Sequence, residues 1–182
     1  MSKLVVTEYM SLDGVMDEPG EWSMPFFSDE AAKFKFDELF ASDAMLLGRK
    51  TYDGFAAAWP KMTDEAGFAD RMNTMPKYVV SSTLRDPEWA GSVVVAGDDL
   101  VAEVGRLKQE EGGDLLVAGS VELLRALMEH DLVDELRLMV HPIVLGGGRL
   151  VFGEGMPKRT LQLADARTFS SGVVVLTYHP AA

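Results

Sequence analysis

The sequence predicts an α/β fold of three layers, in which a mostly parallel central sheet ends in antiparallel strands. Nine short, β-rich apolar runs are interrupted four times by the spacing of an amphipathic helix. Helical segments alternate with the runs up to about residue 130, and no helical spacing follows residue 133. Alternating strands and helices imply crossovers between parallel strands, whereas consecutive strands joined by Gly and Pro turns imply antiparallel neighbours.

The predicted strands follow the apolar runs in chain order. They cover residues 4–10, 44–47, 78–80, 93–96, 115–118, 136–145, 150–152, 161–169 and 173–178. The runs between residues 44 and 118 are almost continuously hydrophobic, which is typical of strands that helices cover on both faces. We therefore expect these strands at the centre of the sheet.

About four helices are predicted, each with one apolar face. The apolar positions are Ala32, Phe36, Leu39 and Phe40; Tyr52, Phe55, Ala56 and Trp59; Leu100, Val104 and Leu107; and Val121, Leu124, Leu127 and Met128. Residues 13–28 and 60–76 have no regular spacing and are predicted to be long loops. Such loops are either functional lids or ordinary surface loops, and the sequence leaves both readings open.

The bulk composition describes an ordinary globular chain. Its 182 residues, 47% apolar and 25% charged, suit one domain over residues 1–182. No apolar run is long enough to cross a bilayer, and residues 1–10 lead into a strand pattern rather than a signal peptide. The chain has no cysteine, which excludes disulfides and thiolate catalysis. These features predict a cytoplasmic protein with no membrane partner.

The net charge of −12 disfavours nucleic acid as a partner, because such binding requires many cations over a broad surface. A small anionic ligand requires only a local concentration of cations and backbone N–H groups. The position of Arg49 and Lys50 therefore matters more than the total charge.

The segment "LLGRKT" joins a predicted strand to a predicted helix. It departs from the phosphate-loop pattern Gly-x-x-x-x-Gly-Lys-Ser/Thr, because Asp43 stands five residues before Gly48 and Arg49 displaces Lys50. What remains is a glycine turn followed by Thr51 and a helix start, whose free N–H groups attract an anion. The alternative is a simple strand-to-helix turn with solvated cations.

A second junction of this kind is "LLVAGSVELL". Gly119 permits close approach, Ser120 is expected to cap the following helix, and Val121 is its first residue. The free N–H groups of this helix either hold a phosphate or belong to an ordinary capped helix.

A third strand ends at "VVSSTLR", where Ser81, Ser82 and Thr83 offer hydroxyl groups to a phosphate or simply form a polar turn. Ligands of open α/β sheets bind at the carboxyl ends of parallel strands, which is where all three segments lie. Three separate anion sites suit a pyrophosphate that carries one additional phosphate.

The segments "SLDG" and "HPIVLGGG" complete the set of candidates. Asp13 and Gly14 leave the first strand either as a turn or as a functional carboxylate, and His141 is expected to be structural. The histidines and carboxylates show no metal-ligand spacing, and no Gly-x-Ser-x-Gly motif indicates a nucleophile. Hydride transfer suits the sequence better, because a cofactor supplies that chemistry.

Five segments, taken in order, resemble one known family. They are "SLDG", "LLGRKTYDGF", "KYVVSSTL", "LLVAGSVELLRALMEHDLVDEL" and "HPIVLGGGRLVF". Together they resemble the dihydrofolate-reductase-like superfamily, and specifically the reductase domain of the bacterial riboflavin-biosynthesis deaminase/reductase, here as a stand-alone domain. The likeness spans nearly the whole chain. The zinc motif of the deaminase is absent from the sequence, and Ala32 stands where the folate enzymes' spacing would put a carboxylate.

The resemblance implies an NADPH-dependent oxidoreductase whose cofactor lies across the carboxyl edge of the sheet. It assigns Gly48, Arg49, Lys50 and Thr51 to phosphates; Ser81, Ser82 and Thr83 to the adenosine side; Gly119, Ser120 and Val121 to the pyrophosphate or nicotinamide; and Asp13 and Gly14 to the nicotinamide and substrate. Because relatives of this fold often pair, a homodimer is expected.

The resulting hypothesis is a reductase that transfers hydride from NADPH to a small heterocyclic (pteridine- or pyrimidine-like) or carbonyl- or imine-bearing substrate. Asp13, or a water that it orients, is the predicted proton source. Four aromatic residues are predicted either to shape the pocket or to belong to the core: Phe26, Phe27, Tyr52 and Trp59. The alternative hypothesis is a non-catalytic NADP(H)-binding or sensor protein on the same fold.

Overall fold

One mixed sheet organises residues 1–181, which are the residues that the computed structural model describes. Its strands in this range are β1 (Leu4–Ser11), β2 (Ser42–Gly48), β3 (Lys77–Val80), β4 (Ser92–Val95), β5 (Asp114–Val117), β6 (Glu135–His141), β7 (Leu161–Thr168) and β8 (Val174–Pro180). They are ordered β4-β3-β2-β5-β1-β6-β8-β7. Neighbours from β4 to β6 are parallel, whereas β6, β8 and β7 pair antiparallel. The predicted fold class is confirmed.

The helices of the described range number six rather than about four. They are α1 (Pro19–Trp22), α2 (Asp29–Phe40), α3 (Arg49–Ala58), α4 (Phe68–Thr74), α5 (Leu100–Gln109) and α6 (Val121–Glu129), with 3-10 turns at Met24–Phe26, Trp59–Lys61 and Gly97–Asp99. Both unpredicted helices, α1 and α4, lie in the segments predicted as loops. Each helix has too few residues for a periodic apolar pattern to be recognised in the sequence. The start of α4 is stabilised by Asp64, whose carboxylate accepts the N–H groups of Phe68 and Ala69.

The strand prediction for residues 150–152 is wrong. Leu150 forms only an isolated bridge with Val15, within the part of the chain that the structure describes. The run at 136–145 is also shorter than predicted, because β6 ends at His141, directly before Pro142. Proline has no N–H group to donate, so it ends the pairing there.

Helices cover both faces of the sheet, as the sequence predicted. Leu4 and Val6 of β1 face a core that α5 and α6 supply, whereas Val5 faces the core beneath α2, α3 and α4. This alternation follows from the two-residue period of a strand. The hydrophobic runs of the central strands therefore reflect burial on both faces. In residues 1–181 no helix is long and apolar enough to span a membrane.

Strands β1 and β5 separate partway along the sheet. Among the described residues, their ladder ends at Val6 and Val117, whereas β1 remains paired with β6 up to Ser11 and His141. The carboxyl half of β1 therefore has a strand on one side only. We call the opening between this half of β1 and residues 118–121 the slot.

The amino group of Lys77 joins α4 to the edge of the sheet. Lys77 is fully buried, and its Nζ donates to the carbonyl oxygens of Asn73, Met75 and Ala90 at 3.1, 2.9 and 3.0 Å. It also lies 4.2 Å from the centre of the Trp89 ring. Three carbonyl groups that would otherwise lack a donor are satisfied by one side chain.

We expect Lys77→Met to lower the free energy of unfolding by about 3 kcal/mol, because it leaves these buried carbonyls without a donor. Urea denaturation followed by tryptophan fluorescence measures the change. The control is Lys33→Met, which removes an exposed ion pair with Asp37 and should change stability by about 0.5 kcal/mol or less. Equal effects of both substitutions would contradict the role of Lys77.

Candidate active site

A cavity of about 1010 Å³ lies at the carboxyl ends of the central strands and opens to the slot. Its walls come from β1, β5, the segments flanking α1, and helices α2, α3 and α4. Apolar lining residues include Phe27, Phe36, Leu39, Phe55, Trp59 and Met72, and polar ones include Thr7, Glu8, Lys35, Lys50, Thr51 and Ser120. The cavity is therefore an apolar chamber with a few polar groups, as is usual for small-molecule sites.

Gly48 and Gly119 bring the ends of β2 and β5 into direct contact. The N–H of Gly48 donates to the carbonyl oxygen of Gly119 at 3.2 Å, and the peptide bond between Gly119 and Ser120 is cis. A Cβ atom on Gly48 would overlap Ser120 Oγ. Gly119 has a φ of 102°, and a Cβ there would lie 2.8 Å from Thr51 Oγ1. Both positions therefore require glycine.

Two helices begin at this contact. α3 begins directly after Gly48, and α6 begins after Ser120, whose hydroxyl accepts the N–H of Leu123 at 3.4 Å as the predicted cap. Four predicted residues line the cavity here: Lys50, Thr51, Ser120 and Val121. The free N–H groups of two helix starts are thus concentrated beside the cavity.

Lys50 is exposed at the mouth of the cavity. Its Nζ lies 4.0 Å from Asp17 and 3.8 Å from Glu18, which belong to the segment after β1. At these distances the pairs are loose and solvated, so Lys50 is available to an anion.

A second group of predicted residues lies farther along the same edge, outside the cavity lining. Arg49 Nη1 donates to Thr83 Oγ1 at 3.4 Å, and its Nε donates to Asp53 at 2.9 Å. Ser81 Oγ accepts the N–H of Thr83 at 3.2 Å, whereas Ser82 is exposed. The fold therefore brings Arg49 to the end of β3 and forms one polar edge from Thr51 to Thr83.

The structure places Asp13, the predicted proton source, outside the lining of the cavity. Its carboxylate accepts the hydroxyl of Ser11 at 2.7 Å and the N–H groups of Leu145 and Gly146 at 3.1 and 2.8 Å. These bonds lower the pKa of Asp13 to about 2, so the group is ionised at neutral pH. Asp13 is exposed and absent from the cavity lining. It holds the glycine loop in place, while Gly14, with a φ of 87°, makes the turn.

Glu8 is a buried acid that the sequence analysis missed. It lines the cavity, the residue is 4% exposed, and its Oε1 has no hydrogen-bond partner among residues 1–181. Burial raises the pKa of Glu8 to about 8, although the positive charge of Lys35 opposes this effect. The sequence contained one indication of this acid. Glu8 is the next alternate residue after Leu4 and Val6, so in a strand its carboxylate lies on the same face as these two apolar side chains.

A charged network on α2 was also missed. Lys35 Nζ donates to Thr7 Oγ1 at 3.1 Å and to the buried carboxylate of Glu38, which also accepts from Arg137 Nη1 at 3.2 Å. Burial acts to lower the pKa of Lys35, but the charge of Glu38 raises it overall. Ala32 lines the cavity one turn earlier on this helix, and Glu38 lines it one turn later, so α2 presents the Lys35–Glu38 ion pair to the cavity rather than an unpaired acid.

The predicted aromatic residues divide between cavity and core. Phe27 and Trp59 line the cavity, whereas Tyr52 is buried in the core beneath α3. Phe26 packs against the buried ring of His141, 6.0 Å between centres. His141 is thus enclosed by aromatic rings, as expected for a structural histidine. In the described residues, no cluster of three or more His, Asp or Glu could hold a metal ion.

The sheet, the slot and the glycine contact together define a dihydrofolate-reductase-like protein. A dihydrofolate reductase from Enterococcus faecalis, solved in complex with NADP(H) and RAB-propyl, shares this fold with a TM-score of 0.67 and 15% identity, over 99% of this chain and 97% of that chain. A putative riboflavin biosynthesis protein from Shewanella sp. PV-4 has a TM-score of 0.77 and 21% identity, and the match covers 100% of both chains.

The family model described as the RibD C-terminal domain matches residues 2–175, so the chain belongs to this family. The Bacillus subtilis (strain 168) protein YyaP is 34% identical over 146 residues, which are 79% of this chain and 77% of YyaP. The resemblance inferred from the five sequence segments is confirmed.

The raised pKa of Glu8 predicts how stability changes with pH. An unfolded glutamate loses its proton near the ordinary pKa of 4.5, whereas folded Glu8 retains it up to about 8. Between these values the unfolded state binds fewer protons, so Glu8 lowers stability as pH rises, by up to about 1.4 kcal/mol per pH unit. Above about pH 8 both states are ionised and this slope disappears.

We therefore compare the free energies of unfolding of Glu8→Gln and the wild type. As the pH rises from about 5.5 to about 7.5, the difference should shift by about 2 kcal/mol in favour of Glu8→Gln. Urea unfolding at each pH measures the difference. Glu129→Gln, at an exposed position on α6, is the matched control and should follow the wild type. Parallel pH profiles for the wild type and Glu8→Gln would contradict the assignment.

Proposed function

We propose that the chain is an NADPH-dependent reductase that transfers hydride to a small substrate. The substrate is pteridine- or pyrimidine-like, or carries a carbonyl or imine group. The observation that carries this proposal is the slot beside β1, which opens into a cavity of about 1010 Å³ next to two helix starts. A flat ring suits the slot, and the cavity has room for a second small molecule against it.

The chain's own residues suit a dinucleotide. Gly48 and Gly119 leave no side chain between the strand ends, and the N–H groups at the starts of α3 and α6 are available to a pyrophosphate. Arg49 and Thr83 lie farther along the edge, where they would meet the extra phosphate of NADPH. When bound, NADPH supplies the hydride, and the protein supplies position and excludes water.

The cavity favours a substrate with a flat apolar body and an oxygen acceptor. Phe27, Phe55 and Trp59 provide aromatic walls, and Lys35 lies at the cavity with its positive charge maintained. Two of the three Lys35 donors are used, by Thr7 and Glu38, which leaves one for a ligand oxygen. Ala32 offers no carboxylate to a protonated pteridine, and the carboxylate of Glu38 is already paired with Lys35 and Arg137, so dihydrofolate itself is a poor candidate.

Titration with NADPH and NADH tests the proposal, with nicotinamide fluorescence and thermal melting as readouts. We expect NADPH to stabilise the protein more than NADH. Lack of stabilisation by either nucleotide overturns the proposal. If NADPH binds, its oxidation is then followed by absorbance with pterins, pyrimidine reductase substrates and simple carbonyls. Binding without turnover of any of these would favour the NADP(H)-binding or sensor alternative.

We expect Arg49→Ala to weaken NADPH binding about tenfold and to leave NADH binding nearly unchanged, because the lost charge-assisted bond goes to the phosphate that NADH lacks. Fluorescence titration gives both dissociation constants. Arg167→Ala, which removes an exposed arginine paired with Asp165 on β7, should affect neither. Equal losses for NADPH and NADH would assign Arg49 to the shared pyrophosphate instead.

A further inference from the structure

Glu8 lies in the part of β1 that is no longer paired with β5. The last pair between β1 and β5 joins Val6 to Val117, so Glu8 adjoins the slot. By strand alternation its side chain leaves β1 on the face of Val6, whereas Thr7 and Tyr9 face Lys35 on the other side. Glu8 nonetheless lines the cavity, and the residue is only 4% exposed.

The hydrogen bonding of Glu8 differs from that of the other buried acids. Glu38 is paired with Lys35 and Arg137, and Glu135 is paired with Arg137 and His179. The side chain of Glu8 forms no hydrogen bond with any described residue, and its Oε1 is completely enclosed. A buried carboxyl group without a partner destabilises a fold, so packing alone does not account for a glutamate at this position.

We propose that Glu8 is a catalytic residue, the acid that delivers the proton completing the reduction of the substrate. This inference rests on the proposed function. Hydride adds to the electrophilic carbon of a C=N or C=O bond, and the π electron pair moves to the nitrogen or oxygen. That atom takes the proton of the Glu8 carboxyl group, whose O–H bond breaks and leaves a carboxylate. A proton from solvent then restores the acid.

The protonation state of Glu8 suits this role. Burial raises its pKa to about 8, so the O–H group is present at neutral pH, in contrast to the ionised Asp13. A general acid is most effective when its pKa lies near the working pH. Besides Glu8, the charged groups that line the cavity are Lys35 and Glu38 on α2, Lys50 on α3, Asp17 and Glu18 after β1, Lys61 and Asp64 between α3 and α4, and Arg149 before β7. Of these, Lys35 lowers the pKa of Glu8.

In this role, the pKa of Glu8 depends on the charge of the bound cofactor. The nicotinamide ring is neutral in NADPH and positive in NADP⁺, and the slot would hold this ring beside Glu8. A positive ring favours the carboxylate, so NADP⁺ lowers the pKa of Glu8 relative to NADPH. By reciprocity, ionised Glu8 binds NADP⁺ more tightly than protonated Glu8 does. This coupling can be measured without a substrate.

The experiment measures dissociation constants of NADP⁺ and NADPH from about pH 6 to about pH 9.5. We expect the ratio Kd(NADP⁺)/Kd(NADPH) of the wild type to fall about tenfold through pH 8, which corresponds to a pKa difference of about one unit. The extra phosphate is common to both nucleotides, so its titration cancels in the ratio. Glu8→Gln should give a constant ratio, whereas Glu129→Gln should behave as the wild type.

The outcomes separate this inference from the proposed function. If wild-type protein binds neither nucleotide, the proposed function fails and the role of Glu8 fails with it. If both bind but the wild-type ratio is constant, or if Glu8→Gln retains its change, only the role of Glu8 is overturned. Should Glu8→Gln not fold, Glu8→Asp must move the midpoint of the change to another pH, and an unchanged midpoint overturns the assignment.

Discussion

The site depends on the separation of β1 from β5 beyond Val6 and Val117. Pairing with β6 continues to Ser11 and keeps β1 extended, so the strand forms a fixed wall with one open side. The chain after β5 turns away at Gly119, where positive φ and the contact with Gly48 leave no space for a side chain. A rigid opening in a sheet results, and it exposes β1 to a ligand without disturbing either core.

The ionisable groups around this opening have different charge states. Lys35 is held on one side by Glu38 and Thr7, so the cavity carries a permanent cation at its α2 wall. Glu8 lies at the slot without a partner and is neutral at physiological pH, whereas Asp13 is ionised outside the cavity. The two acids differ in charge because environment, rather than residue type, sets the protonation state.

Sequence reasoning was accurate where a local pattern determines the outcome. The Gly48 and Gly119 junctions and the Ser120 cap follow from strand-to-helix transitions that a few residues specify. It failed for α1 and α4, which are shorter than the period needed to recognise a helix, and for residues 150–152, which are apolar but pair with no strand in the described chain. The hydrogen bonds of Asp13 were not visible in the sequence, because its amide partners lie more than 130 residues away.

The sequence by itself determined the layered fold, the change from parallel to antiparallel strands along the chain, the family, and the polar segments at the carboxyl edge. Each of these depends on periodicity or on contiguous motifs, which a single chain displays directly. The tertiary structure alone decided which residues face the cavity and which acid retains its proton. Burial and distant partners set these properties, and both Glu8 in the slot and Lys35 beside Thr7 acquire them only when the sheet and α2 assemble.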